Sequence, residues 1–243
     1  MKGIILAAGI ASRLRPLTDN TPKCLLELGD ETILGRTIDN LIANGINDLV
    51  IVTGYLQEQI IDFVNKKYPD LKVQFLYNEK YDSTNNIYSL WMTKDLVIND
   101  DVLLLDSDIL FDKKIVTMLL DSDHANCLAV KSGFELSEEE IKVTLDDDEC
   151  ITEISKTVDP KLAIGESIGI EKFSNSYVKQ LFAILDDMIL NQYQINIFYE
   201  AAFERSLKEG AKIYIADVGD LRCMELDTVE DVETAKKNVV NYL

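Results

Sequence analysis

The chain has 243 residues, enough to bury a substantial core. Its 24 basic residues against 43 acidic ones, net −19, exclude a general nucleic-acid binder and a polybasic membrane surface. The four cysteines, Cys24, Cys127, Cys150 and Cys223, have neither zinc spacing nor the density of a disulfide scaffold, so reduced thiols and a cytoplasmic setting are expected.

Elements follow from the apolar pattern in chain order. The run Ile4, Ile5, Leu6 reads as a strand buried on both faces, and it enters a small-residue turn, Ala7-Ala8-Gly9. Such a turn lets backbone N–H groups approach a phosphate. Lys2 and the apolar segment 3–11 imitate a short signal peptide. Arg13 and Arg15 follow at once, however, and the run is about half of what a membrane span needs, so neither a cleaved leader nor membrane insertion is expected. Residues 1–25 carry net +3 against −22 for the remainder, and a basic island in an acidic chain suits a local anionic ligand.

Spacing predicts a helix over 31–44 with Gly45 as its stop, a strand over 49–52, a helix over 57–67 and a strand over 73–77. A helix over 85–96 and an apolar strand over 102–105 follow, the strand running into Asp106-Ser107-Asp108. This alternation predicts a mainly parallel sheet with helices on both faces. The second half changes rhythm. Residues 141–145 and 150–155, joined by an acidic turn, read as an antiparallel hairpin, and 167–170 as a short strand. Helices are predicted over 174–190 and 197–209, a strand over 212–218, and a last helix over 229–243 packed through Val229, Val232, Ala235 and Val239. Without a repeat, low-complexity tract or linker, a single domain over 1–243 is the expected organisation.

The opening pattern, Leu6-Ala7-Ala8-Gly9, Ser12-Arg13-Leu14 and Pro22-Lys23, resembles the signature of the nucleotidyltransferase superfamily, which activates sugar phosphates and phospho-alcohols; Ala11 stands where a second glycine is usual. The segment 78–91, together with 154–156, 165–170 and 225–228, resembles the bacterial phosphocholine cytidylyltransferase group and its relatives acting on 2-aminoethylphosphonate. The resemblance implies a Rossmann-like α/β fold and an Mg²⁺-dependent transfer of CMP from CTP to a small phosphorylated or phosphonate acceptor, releasing pyrophosphate. A sugar-1-phosphate nucleotidylyltransferase and a non-catalytic nucleotide-binding module are the alternatives.

The expected nucleotide contacts are Leu6, Ala7, Ala8, Gly9, Ser12, Arg13 and Lys23, with Arg13 as a donor fork and Lys23 as a compact charge on the triphosphate. Arg15 is a weaker candidate for the same role. Asn85 and Asn86 could present amides to the base, or cap a helix. Asp108 ends a buried strand at the sheet edge where α/β ligands bind, and the resemblance pairs it with Asp227 as metal ligands. Asp106 competes with Asp108, Glu225 is a further candidate, and helix capping competes for Asp227. Lys156 corresponds to the lysine on the acceptor phosphate. Tyr88 and Trp91 would line the acceptor pocket unless they serve core packing, and Glu166 and Glu200 would face a cationic head.

Overall fold

The structure, a computed structural model, describes residues 1–238. Strand β1 (Lys2–Ala7) is followed by the short strands β2 (Glu27–Leu28) and β3 (Glu31–Thr32), then α1 (Ile33–Ala43), β4 (Asp48–Thr53), α2 (Gln57–Lys67) and β5 (Lys72–Tyr77). Next come α3 (Asn86–Met92), α4 (Lys94–Val97), β6 (Val102–Asp106), β7 (Ile109–Phe111), α5 (Lys114–Asp121) and β8 (Cys127–Lys131). The remainder holds β9 (Lys142–Leu145), β10 (Ile151–Ser155), β11 (Gly165–Phe173), α6 (Asn175–Asp186), α7 (Glu200–Lys208), β12 (Tyr214–Asp217), β13 (Cys223–Glu225) and α8 (Val229–Asn238).

The main sheet runs β10-β9-β11-β6-β1-β4-β5, with β8 on β11 and β12 on β8. Its β6-β1-β4-β5 portion is parallel, as the alternation of strands and helices predicts. Around β11 the pairing turns antiparallel, to β6, β8 and β9. The expected hairpin is β9-β10 and joins this same sheet.

Period-two alternation explains why the central strands read as unbroken apolar runs. Ile4 and Leu6 of β1, with Val50, Val52, Val102 and Leu104, face one core with residues of α3, α6 and α7. Ile5 and Ala7, with Leu49, Ile51, Leu103 and Leu105, face the other with α1, α2 and α5. A third cluster holds Leu14, Leu26, Leu28 and Ile33 against Leu110, Leu226, Val232 and Ala235. It staples the long loop after β1 to α8.

Several boundaries differ from the sequence expectation for local reasons. The first predicted helix begins only at Ile33, because Glu31 and Thr32 pair with β2 and the Thr32 hydroxyl caps α1, accepting from Gly35 N at 2.9 Å. Residues 85–96 divide into α3 and α4 around Thr93. The long helix predicted from 174 stays α-helical to Asp186 and ends in one π turn, Asp187–Asn191. Strand β11 is longer than predicted, since it borders three other strands. The last helix is described to Asn238; its expected extension with Val239 lies outside the described residues.

Candidate active site

The parallel strands β1 and β6 end at the same edge of the sheet. There Ala7, Ala8 and Gly9 meet Asp106 and Asp108 in a cleft of about 790 Å³. A Cβ at Gly9 would meet no atom within 4 Å, so glycine leaves open space for a ligand to approach the backbone. Ala11 takes the left-handed conformation, φ 51°, that a glycine would adopt without penalty.

Distant segments converge because β13 pairs antiparallel with β7, setting Glu225 opposite Ile109. Leu226 N donates to the Asp108 carbonyl at 3.1 Å, which carries Asp227 alongside Asp108. Ligand oxygens of Asp108, Glu225 and Asp227 lie within 4.8 Å of one another. Three carboxylates are the donor set a hard divalent cation takes, and a side-chain cation already balances two of them. Lys23 Nζ sits 2.8 Å from Asp108 Oδ2 and 2.7 Å from Asp227 Oδ1, while Arg13 Nη2 bonds the other Asp227 oxygen. Lys23 is the enclosed member, its side chain 11 % exposed against 67 % for Arg13. Burial opposes the Lys23 charge, but Asp108 and Asp227 outweigh it and raise its pKa. Asp227 is lowered: burial pushes it up, and Lys23 and Arg13 more than offset this. Glu225 is pushed up to about 7 by burial and then by Asp108 and Asp227.

The other end of the cleft is built by β10, β11 and α7. Lys156, just beyond β10, has its Nζ 5.1 Å from the Phe198 ring centroid and 3.7 Å from Glu139 Oε2. Glu166, Ser167, Ile168 and Gly169 of β11 line the same space, as does Glu200 at the start of α7. The register of β11 on β8 shifts between Ser167 and Glu171, and bulges of this kind re-aim side chains beside active sites. Gly169 is required there. Its φ is +71°, and a Cβ would lie 2.8 Å from Asp106 Oδ2.

Beneath the cleft, Tyr199 Oη donates to Asp106 Oδ2 at 3.0 Å and to the buried Glu171 Oε1 at 3.3 Å. Burial, reinforced by Asp108 and Glu200, raises Asp106 well above the ordinary carboxylate range. Asp106 therefore belongs with this buried network, and Asp108 with Lys23.

Most of the expected site residues line one cleft: Leu6, Ala7, Ala8, Gly9, Arg13 and Lys23 at one end, Lys156, Glu166 and Glu200 at the other, with Asn85, Asn86, Asp108 and Asp227 between. Four lie elsewhere. Ser12 opens an exposed 3₁₀ turn. Arg15 faces Asp19 at 3.5 Å on the surface. Trp91 donates from Nε1 to Asp186 at 2.9 Å, and its ring packs 5.4 Å from that of Tyr88. Both aromatics pack against the core, which is the alternative the sequence left open for Trp91. The asparagines also take structural bonds: Asn85 Oδ1 accepts from Asn86 N at 2.7 Å, and Asn86 Oδ1 from Tyr199 N at 2.9 Å. Sequence reasoning missed Glu139, Glu140 and Phe198, which sit in irregular segments.

The family model described as "Nucleotidyl transferase" matches residues 2–134, more than half of the chain and all of the parallel strands except β12. The chain belongs to the nucleotidyl transferase family. Within this family it is 28 % identical over 245 residues to a choline-phosphate cytidylyltransferase of Streptococcus pneumoniae, covering 99 % of each chain. The solved structure of the CTP:phosphocholine cytidylyltransferase of that organism superposes with a TM-score of 0.79, at 25 % identity and 98 % coverage of both chains. A CTP:phosphoglutamine cytidylyltransferase of Campylobacter jejuni is 29 % identical over 96 % of this chain and 98 % of its own. A 2-aminoethylphosphonate cytidylyltransferase of Lancefieldella rimae is 25 % identical over 94 % and 89 %. The transferase fold with its mixed α/β sheet is thus shared along the whole length. No helix among the described residues is long and apolar enough to cross a membrane.

Proposed function

We propose that the protein is a CTP-dependent cytidylyltransferase that joins CMP to a small phosphorylated or phosphonate acceptor. The observation that carries this reading is one cleft with two separate cationic positions, Arg13 with Lys23 at one end and Lys156 at the other, and the acidic triad beside the first. A triphosphate and a second anion are the pair such a cleft would hold. The relatives from Streptococcus, Campylobacter and Lancefieldella, all named as cytidylyltransferases, support the choice of nucleotide.

In this mechanism an oxygen of the acceptor phosphate or phosphonate attacks the α-phosphorus of CTP. The bond from that phosphorus to the oxygen bridging the β-phosphorus breaks, and pyrophosphate leaves. Both reactants are anions, so positioning and charge neutralisation supply most of the rate. The Ala7-Ala8-Gly9 backbone and Arg13 bind the triphosphate. Lys23 exchanges its carboxylate partners for the α-phosphate and stabilises the charge that builds there. Asp108 and Asp227, with Glu225 beside them, would hold Mg²⁺, which supplies further neutralisation of the phosphates when bound. Lys156 holds the acceptor anion in line with the α-phosphorus. No covalent nucleophile is needed.

The test is pyrophosphate release from CTP with phosphocholine, phosphoethanolamine or 2-aminoethylphosphonate. Turnover with at least one is expected. Turnover of a sugar 1-phosphate with none of these would overturn the reading, and calorimetric CTP binding without product would make the protein a binding module.

A further inference from the structure

The acceptor end of the cleft gathers four acidic side chains around Lys156, with Lys131 and Lys142 near enough to act on one of them, Glu166. Lys156 lines the cleft together with Glu139, Glu140, Glu166 and Glu200. Lys156 reaches ion-pair distance of Glu139 alone among these four. Glu166 and Glu200 form no ion pair among the described residues, although Lys131, Lys142 and Lys156 favour the ionised form of Glu166 and Lys156 that of Glu200. Glu200 is only 7 % exposed, and its buried Oε2 has no hydrogen-bond partner among the described residues. An oxygen left unmet in this way keeps the full desolvation penalty, which is greater for an ionised group.

What could satisfy these carboxylates is limited by the aromatic groups present. A quaternary ammonium has no N–H and is held by aromatic faces. The aromatic side chains lining the cleft are Tyr81 and Phe198. Phe198 already receives Lys156 over its ring at 5.1 Å. Tyr81 stands with Tyr55 and Tyr77, each ring 6.5 Å away, against Gly54 on the nucleotide side. Tyr88 and Trp91 lie outside the cleft lining. Among the described residues there is no aromatic cage at the acceptor end, and two of its carboxylates, Glu166 and Glu200, lack an ion-pair partner.

Resting on the cytidylyltransferase reading, we infer that the acceptor bears a primary ammonium, and that Glu166 and Glu200 receive its N–H donors while Lys156 holds its phosphate or phosphonate. Glu166 and Glu200 thereby act as specificity-determining residues that favour an aminoalkyl phosphate or phosphonate over its trimethylammonium counterpart. The three N–H groups of the ligand supply a donor to Glu200 Oε2, which has no partner among the described residues. A trimethylammonium group of similar charge would leave both carboxylates desolvated without a hydrogen bond.

The experiment compares kcat/KM for phosphoethanolamine, 2-aminoethylphosphonate, phosphocholine and propyl phosphate (the analogue without an ammonium) in the wild type and in Glu166→Gln and Glu200→Gln. Because a site built around N–H donors rejects an analogue lacking them, at least ~10²-fold preference for a primary-ammonium acceptor over phosphocholine is expected. Each variant should reduce that preference by ~10-fold or more, the share of a charge-assisted hydrogen bond, with CTP affinity by calorimetry unchanged. Should Glu200→Gln fail to fold, the half-buried Glu166 carries the comparison. Equal or better use of phosphocholine, or an undiminished preference in Glu166→Gln, would overturn the inference while leaving the cytidylyltransferase reading intact. Turnover of sugar 1-phosphates alone would instead remove that reading and the ammonium assignment together.

Discussion

Lys23 joins the two halves of the chemistry at the scale of single residues. Its ammonium bridges Asp108 and Asp227, so one side chain links the β1 loop, the end of β6 and the segment before α8. Removing the charge of Asp108 frees Lys23 on one side and, on the proposed role, deletes a ligand of the divalent cation. Asp108→Asn is therefore expected to lower kcat by at least ~10²-fold, as for a lost transition-state contact, in steady-state pyrophosphate assays. A fully active variant would contradict the assignment. Lys156→Ala acts at the other end: the KM for acceptor should rise while CTP binding by calorimetry stays near the wild-type value. Two acids give a pH signature. Burial holds Glu166 and Glu200 up to about 7 from an ordinary 4.5. The folded state then keeps protons that the unfolded chain has lost. This contribution to stability is complete below about pH 4.5 and disappears as pH rises through about 7. The Tm of the ligand-free protein should accordingly fall over this window, and Glu200→Gln should flatten the fall. Asp227 has the opposite sign, its contribution being lost at acid pH as the carboxylate protonates.

Among the elements, the third apolar cluster joins the loop that carries Arg13 to the segment that carries Asp227. Leu14 stands between Arg13 and Arg15 in sequence, is fully buried, and packs in the cluster that holds Leu226 and Val232. Leu14→Ala should cost ~2–5 kcal/mol in urea unfolding, as large-to-small core changes do, and weaken CTP binding because Arg13 and Asp227 lose a common support. Unaltered CTP affinity would show that the loop is positioned by other contacts. The same scale shows what the sequence could reveal. Strands β1, β4 and β6 are legible because both faces are buried and every residue is apolar. Asp108 is legible because β6 points to it. By contrast β7 and β13 are three residues each, too short for any period, yet their pairing is what brings Glu225 and Asp227 to Asp108. The reach of β11 was likewise hidden, since its polar members Glu171 and Lys172 are buried only through contacts with distant strands. Periodicity predicts a helix from 197, but α7 begins at Glu200, and Phe198 lies in the preceding loop, where the Asn86–Tyr199 bond fixes the entry to the helix.

For the molecule as a whole, a net charge of −19 faces an anionic substrate. The basic residues near the N-terminus act only at short range, and the long-range field opposes approach. Raising ionic strength from about 0.01 M to about 0.15 M shortens the screening length from ~30 Å to ~8 Å, so the CTP association rate should rise or hold in stopped-flow measurements at fixed Mg²⁺. A steep fall would mean that attractive steering dominates and that the acidic surface lies remote from the entry. The fold at this scale was legible from the alternation of strands and helices, whereas the antiparallel half was only partly so because its pairings join segments far apart in sequence. The central claim concerns what the whole cleft makes. Its most direct test is mass-spectrometric detection of product from purified protein given equal ATP, CTP, GTP and UTP, Mg²⁺, and a mixture of phosphoethanolamine, 2-aminoethylphosphonate, phosphocholine and sugar 1-phosphates. The account predicts one dominant cytidylyl conjugate, bearing a primary amine; a sugar conjugate, or one carrying another nucleotide, would contradict it.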